Sequence, residues 1–170
     1  MSEKEKTIEL NDHESSNEEK FEKLMENFKE VLGLDIDKPN VAALNYCFRG
    51  NMYYVQGKYE QAIEEFTKAI NLNPNQISKI YFSRGLAYGA KGDYDNSITD
   101  YSTSLQVNPN EAKVYRERGR VYGIKGDYDL ALADINAALQ IDPDDQDSKK
   151  YLEMIREAKS RKLEGENNKC

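Results

Sequence analysis

The chain has no tryptophan, one histidine, two cysteines and four prolines in 170 residues. Each scarcity removes a class of function. His13 stands in a polar N-terminal stretch, so Cys47 has no histidine to act as its base and a Cys–His nucleophile is excluded. Cys47 and Cys170 form neither a disulfide framework nor a zinc spacing, and the closing "NNKC" is not a prenylation box. No run approaches the roughly 18 apolar residues of a membrane span. The opening "MSEKEKTIELNDHESSNEEK" lacks the apolar centre of a signal peptide. Positive charge is short as well: 24 Lys and Arg face 31 Asp and Glu, a net charge of −7, which is the wrong sign for sequence-independent binding to nucleic acid. No glycine-rich loop sits between a strand and a helix to cradle phosphate. These absences lead to the expectation of a cytoplasmic protein with free thiols that is no enzyme and uses no metal, cofactor, nucleic acid or membrane.

What the chain does have is tyrosine, twelve of them, and repetition. "KGDYD" occurs at 91–95 and again at 125–129, with a blurred copy, "QGKYE", at 56–60. Three longer segments register around these: "LNYCFRGNMYYVQGKYEQAIEEFTKAINLNPN" from Leu44, "KIYFSRGLAYGAKGDYDNSITDYSTSLQVNPN" from Lys79 and "KVYRERGRVYGIKGDYDLALADINAALQIDPD" from Lys113. Gly50, Gly85 and Gly119 are 35 and 34 residues apart, and the odd residue falls in a loop, where insertions are tolerated.

Each unit reads as two helices. Tyr46, Gly50 and Tyr53 share a face of the first, as do Tyr81, Gly85, Tyr88 and Tyr115, Gly119, Tyr122. In the second helix Ala62, Phe66, Ala69 recur as Ser97, Tyr101, Ser104 and Ala131, Ile135, Ala138. Small residues alternating with large ones are what two closely crossing helices require. A proline in "NLNPN", "QVNPN" or "QIDPD" ends each unit by disfavouring helix in the residue before it.

These landmarks, in three copies over residues 43–145, resemble the tetratricopeptide repeat, with tyrosine in place of the common early tryptophan and serines for two alanines of the middle copy. The resemblance implies an all-α fold, an α-solenoid in a right-handed superhelix, with units at 43–77, 78–111 and 112–145 and a concave groove lined by the first helix of each pair.

Within that frame "GDYD" is a turn. Gly92 and Gly126 supply the backbone freedom that ends a helix, Asp93 and Asp127 can cap the next, and Tyr94 and Tyr128 pack over the joint. A calcium loop would need alternating carboxylates with a closing glutamate, which the spacing lacks. Nine of the twelve tyrosines fall at three repeated core positions and Tyr101 is a tenth, so they are framework rather than a base-stacking platform. Arg49, Arg84 and Arg118 each precede the repeat glycine, and 16 residues on stand Glu65, Asp100 and Asp134, which predicts an ion pair inside every unit.

A stacked array needs its ends covered. Residues 146–162 predict a capping helix with Tyr151, Leu152, Ile155 and Ala158 on one side, followed by a disordered tail at 163–170. Residues 1–16 read as a disordered acidic tail. Residues 17–34 carry Phe21, Leu24, Met25, Phe28, Val31 and Leu32 at helical spacing, a helix that either covers the first repeat or folds into the groove.

The groove positions implied by the resemblance are Phe48, Asn51 and Tyr54, with Leu44, Cys47 and Val55, in the first unit. The second offers Lys79, Phe82 and Leu86, and the third Lys113, Arg116 and Arg120 with Ile124. Residues 112–126 hold five Lys and Arg against one Glu, so the groove runs from apolar to basic. That surface suits an interaction module or adaptor binding a partner peptide or helix with apolar anchors and acidic groups. The family's carboxylate clamp for the Glu-Glu-Val-Asp tails of heat-shock chaperones is matched here only at Asn51 and Lys113; Cys47, Ser83 and Glu117 depart from it. A co-chaperone role and a self-associating scaffold are the alternatives.

Overall fold

The computed structural model describes residues 39–72 and 77–167, the last three of them in backbone only, together with Glu19, Lys20, Lys23 and Asn27. Seven helices follow one another among the described residues: α1 (Pro39–Val55), α2 (Tyr59–Asn71), α3 (Ile77–Lys91), α4 (Tyr94–Val107), α5 (Ala112–Lys125), α6 (Tyr128–Ile141) and α7 (Gln146–Asn167). Each packs on its neighbours in sequence. In addition α1 approaches α3, α3 approaches α5 and α5 approaches α7, whereas α2, α4 and α6 do not approach one another among the described residues. The first helices of the pairs therefore line the inner side of the array.

The pairs close around the repeated glycines. A Cβ on Gly50 would stand 2.7 Å from the Phe66 ring, one on Gly85 would stand 2.8 Å from the Tyr101 ring, and one on Gly119 would stand 3.1 Å from Ile135 Cδ1. Phe66, Tyr101 and Ile135 are accordingly among the largest fully buried side chains. The serines of the middle unit keep the fold by satisfying their hydroxyls: Ser97 Oγ donates to the Gly85 carbonyl at 2.8 Å and Ser104 Oγ to the Ser78 carbonyl at 2.9 Å.

The turns follow the sequence closely but not fully. Gly57, Gly92 and Gly126 have φ of 76°, 91° and 83°, the left-handed conformation that a side chain would strain. Asp93 caps α4, accepting from the Asn96 amide at 3.3 Å, whereas Asp127 makes no side-chain cap on α6.

The predicted ion pairs are all present: Arg49 Nε lies 3.0 Å from Glu65 Oε2, Arg84 Nε 2.8 Å from Asp100 Oδ2 and Arg118 Nε 2.7 Å from Asp134 Oδ2. Two of these arginines also reach backward into the preceding unit. Arg84 Nη1 donates to Thr67 Oγ1 at 2.9 Å, and Arg118 Nη1 donates to Ser102 Oγ at 3.0 Å. A second ladder joins the units at the turns: Lys91 to Glu60 at 3.3 Å, Lys125 to Asp95, and Lys159 to Asp129. The two identical "KGDYD" copies are thus joined to each other, the lysine of the second to the last aspartate of the first.

At the far end α7 occupies the place of a fourth first helix. Ser148, Leu152 and Ile155 take the register of Val114, Arg118 and Val121, and Ile155 packs with Ala131 and Ile135. Glu153 stands where Gly50, Gly85 and Gly119 admit a ring, and it is exposed. Two boundaries differ from expectation. The chain is already helical at Pro39, where the described stretch begins, four residues ahead of residue 43. The cap runs on to Asn167, into the stretch expected to be a disordered tail from 163. The single Gly165 costs only about 1 kcal/mol, and no proline follows to stop the helix. The segments 1–16 and 168–170 lie outside the described residues, as does most of 17–34.

Candidate functional site: the concave face

Because the first helices recur at 34–35 residues, equivalent positions form rows across the inner face. One row is Leu44, Lys79, Lys113 and Asp147, near the helix starts. Another, at the opposite edge, is Val55, Ala90, Ile124 and Ala158. Between them run Asn51, Leu86, Arg120 and Met154. Leu44 is 55% exposed, Phe48 53%, Val55 84% and Ile124 50%, so large apolar side chains face solvent along the groove. Asn51 is exposed, and Tyr54 is half-buried against the Tyr59 ring at 5.8 Å. Phe82 and Leu86 are half-buried on the α4–α5 core.

The cations divide sharply. Lys79 and Lys113 are exposed, and Lys113 Nζ sits 5.4 Å from the centre of the Phe82 ring, tying adjacent rungs together. Arg116 and Arg120 are committed to the protein itself. Arg116 Nη1 donates to Asp145 Oδ2 at 2.7 Å, with Glu117 at 3.6 Å and Asp147 at 3.8 Å. Arg120 Nε donates to Glu117 Oε2 at 2.9 Å. Burial alone would raise the Asp145 carboxyl, but the Ser148 hydroxyl and the Arg116 guanidinium outweigh it and hold it below the usual carboxylate range. The strip of five basic residues read from the sequence is therefore largely neutralised: Arg118 serves Asp134, Lys125 serves Asp95, and only Lys113 presents an ammonium to the groove.

Beneath the groove floor lies Tyr101. Its ring is fully buried and its hydroxyl makes no hydrogen bond of good geometry, since the nearby Ser97 hydroxyl is given to the Gly85 carbonyl; burial pushes the hydroxyl pKa well above its ordinary value, with Ser97 lowering it only in part. The Oη lies against Gly89, and Glu117 and Arg120 are among the charges that act on it. Cys47, on the same inner face, is half-buried, and burial raises its thiol pKa. The sequence reading did not extend the rows onto α7, where the register of Glu117 and Arg120 continues 34 residues on at Tyr151 and Met154. Among the described residues no group of three or more His, Cys, Asp or Glu could hold a metal, and no helix is long and apolar enough to cross a membrane.

Three helix pairs stacked in one direction, a terminal cap and an open inner face define a helical-repeat solenoid. Family models described as TPR repeat and tetratricopeptide repeat match residues 50–92 and 82–146, and the chain belongs to the tetratricopeptide-repeat family. Its fold is similar to the TPR domain of Arabidopsis OM64, at 23% identity and a TM-score of 0.67, covering 70% of this chain and 98% of that one. It is similar also to the first TPR domain of human RPAP3, at 24% identity and a TM-score of 0.68, covering 72% and 95%. A third similar structure is the first TPR of Spaghetti (RPAP3) bound to the HSP90 peptide SRMEEVD, at 24% identity and a TM-score of 0.67, covering 73% and 96%. No curated protein sequence matches the chain.

Proposed function

We propose that this protein is a cytoplasmic interaction module whose concave face holds a segment of a partner protein carrying apolar anchors and acidic groups. The observation that supports it most is the exposure of Leu44, Phe48, Val55 and Ile124 on the inner face, beside the ammonium groups of Lys79 and Lys113. Burying such side chains is worth about 25 cal/mol per Å² of apolar surface, and the lysines add orientation and encounter rate more than affinity. Phe48, Asn51, Phe82, Leu86 and Lys113 form the contact surface. Arg116 and Arg120 hold the floor in shape.

Peptide display against the full chain tests this, run in parallel with the Phe48→Asp/Lys113→Glu variant. Enriched sequences pairing apolar with acidic residues, lost with the variant, support the reading; the same enrichment from both proteins overturns it.

A second reading, binding of chaperone tails, draws on the structural neighbours solved with heat-shock peptides and on exposed Asn51 and Lys113. Glu117 weighs against it, since it puts a carboxylate into the same face and occupies Arg120. Titration with SRMEEVD separates the two readings, because the first predicts only weak, salt-sensitive binding.

A further inference from the structure

We infer that Arg120 is a specificity residue of the concave face, holding a side-chain carboxylate of the partner on the unused edge of its guanidinium. The inference rests on the reading of that face as a docking surface and assigns one of its acidic contacts.

The arginines that tie the array together leave no nitrogen over. Arg84 and Arg118 each give Nε and Nη2 to the two oxygens of an aspartate and Nη1 to a hydroxyl of the preceding unit. Arg120 holds the groove floor through Nε alone, which donates to Glu117 Oε2 at 2.9 Å. Among the described residues its Nη1 and Nη2 make no hydrogen bond or ion pair, and both reach solvent. Two N–H groups side by side on that edge match the two oxygens of a carboxylate.

Glu117 aims this edge without consuming it. Its Oε1 lies 3.6 Å from Arg116 Nε while its Oε2 takes Arg120, so the carboxylate is wedged between two guanidiniums and is 15% exposed. A head already held in one orientation has less freedom to lose when a ligand docks. The surroundings favour a single negative charge. Arg116 and Arg120 are balanced by Glu117 and Asp145, so no surplus of positive charge draws a dianion, and recognition depends on the fork. In its row Arg120 stands between Leu86 and the exposed Met154, whose apolar surfaces reduce the screening of an ion pair formed there. The chaperone-tail clamp is compared on α5 at Lys113 and Glu117, so Arg120 is a contact outside it.

Titration of the full chain with acetyl-glutamate amide tests this, followed by NMR at the Arg120 Nε–H and the backbone amides. Acetyl-glutamine amide and inorganic phosphate serve as comparisons. The inference predicts saturable shifts at the Arg120 Nε–H and at the Leu86 and Met154 amides with the glutamate probe only, abolished by Arg120→Gln. Arg120→Lys keeps the charge but not the fork, and weakens binding roughly fivefold. No response at Arg120, an equal response to the glutamine probe, tighter binding of phosphate, or an undiminished affinity in Arg120→Lys overturns the inference. A display-selected peptide held equally by the parent and by Arg120→Gln also overturns it, and leaves the proposed function standing.

Discussion

At the scale of single residues, close approach and satisfied polarity decide what each position tolerates. Gly85 faces the Tyr101 ring so closely that Gly85→Ala forces the ring or the helix to move, at a cost of about 1–3 kcal/mol, measurable by urea denaturation. Tyr101→Phe has the opposite sign. An unpartnered buried hydroxyl costs about 1–3 kcal/mol, so deleting it while keeping the ring leaves stability unchanged or raises the melting temperature. The same hydroxyl gives a pH signature. Its folded pKa lies above the unfolded value, so the folded state holds its proton more tightly. That contribution is fully present below about pH 10 and is lost as pH rises above the unfolded tyrosine pKa. Comparing urea midpoints at neutral pH and above pH 10, Tyr101→Phe reduces the alkaline loss of stability; an unchanged loss means that the hydroxyl is not enclosed.

At the scale of helices, two ladders of different character join the units. Arg84 and Arg118 each bridge three helices with forked hydrogen bonds and are mostly buried, while the lysine–carboxylate pairs sit at exposed turns. Salt screens the second kind far more than the first. Lys125→Met therefore lowers the melting temperature modestly at low ionic strength and hardly at all in 1 M salt, whereas Arg118→Ala costs stability in both. Arg116 belongs with the structural arginines. Arg116→Ala frees the start of α7 from α5 and lowers stability by about 1–3 kcal/mol, read from the urea midpoint. The depressed Asp145 carboxyl sets the pH window: its contribution is present above about pH 4 and lost as pH falls through its lower folded value. The sequence showed the arginine–acid pairs within units because they recur three times at one spacing. It hid the role of Arg116 because Asp145 and Asp147 meet it once only, at the junction with the cap, where no repetition marks the contact.

At the scale of the whole molecule, the helix pairs were legible because the same small and large side chains return every 34–35 residues, and their volumes dictate how helices cross. The groove was legible only in outline. Position along the repeat gave an expectation of which side chains line that face, but charge depends on the acids each cation meets, most of them in its own unit, and those turn an apparently basic strip into one exposed lysine on an aromatic ring. The inner face is thus organised across its width as well as along its length, with lysines near one edge and Val55, Ala90 and Ile124 along the other. Under the proposed function, the partner segment presents an acidic row and an apolar row side by side, as one face of an amphipathic helix does.

The most direct test of the central claim is an amide chemical-shift map of the full chain titrated with a peptide selected by display. The account predicts saturable shifts confined to α1, α3 and α5 around Phe48, Phe82, Leu86, Lys113 and Ile124, abolished by Phe48→Asp. Shifts centred instead on α2, α4 and α6, or persisting unchanged in that variant, contradict it.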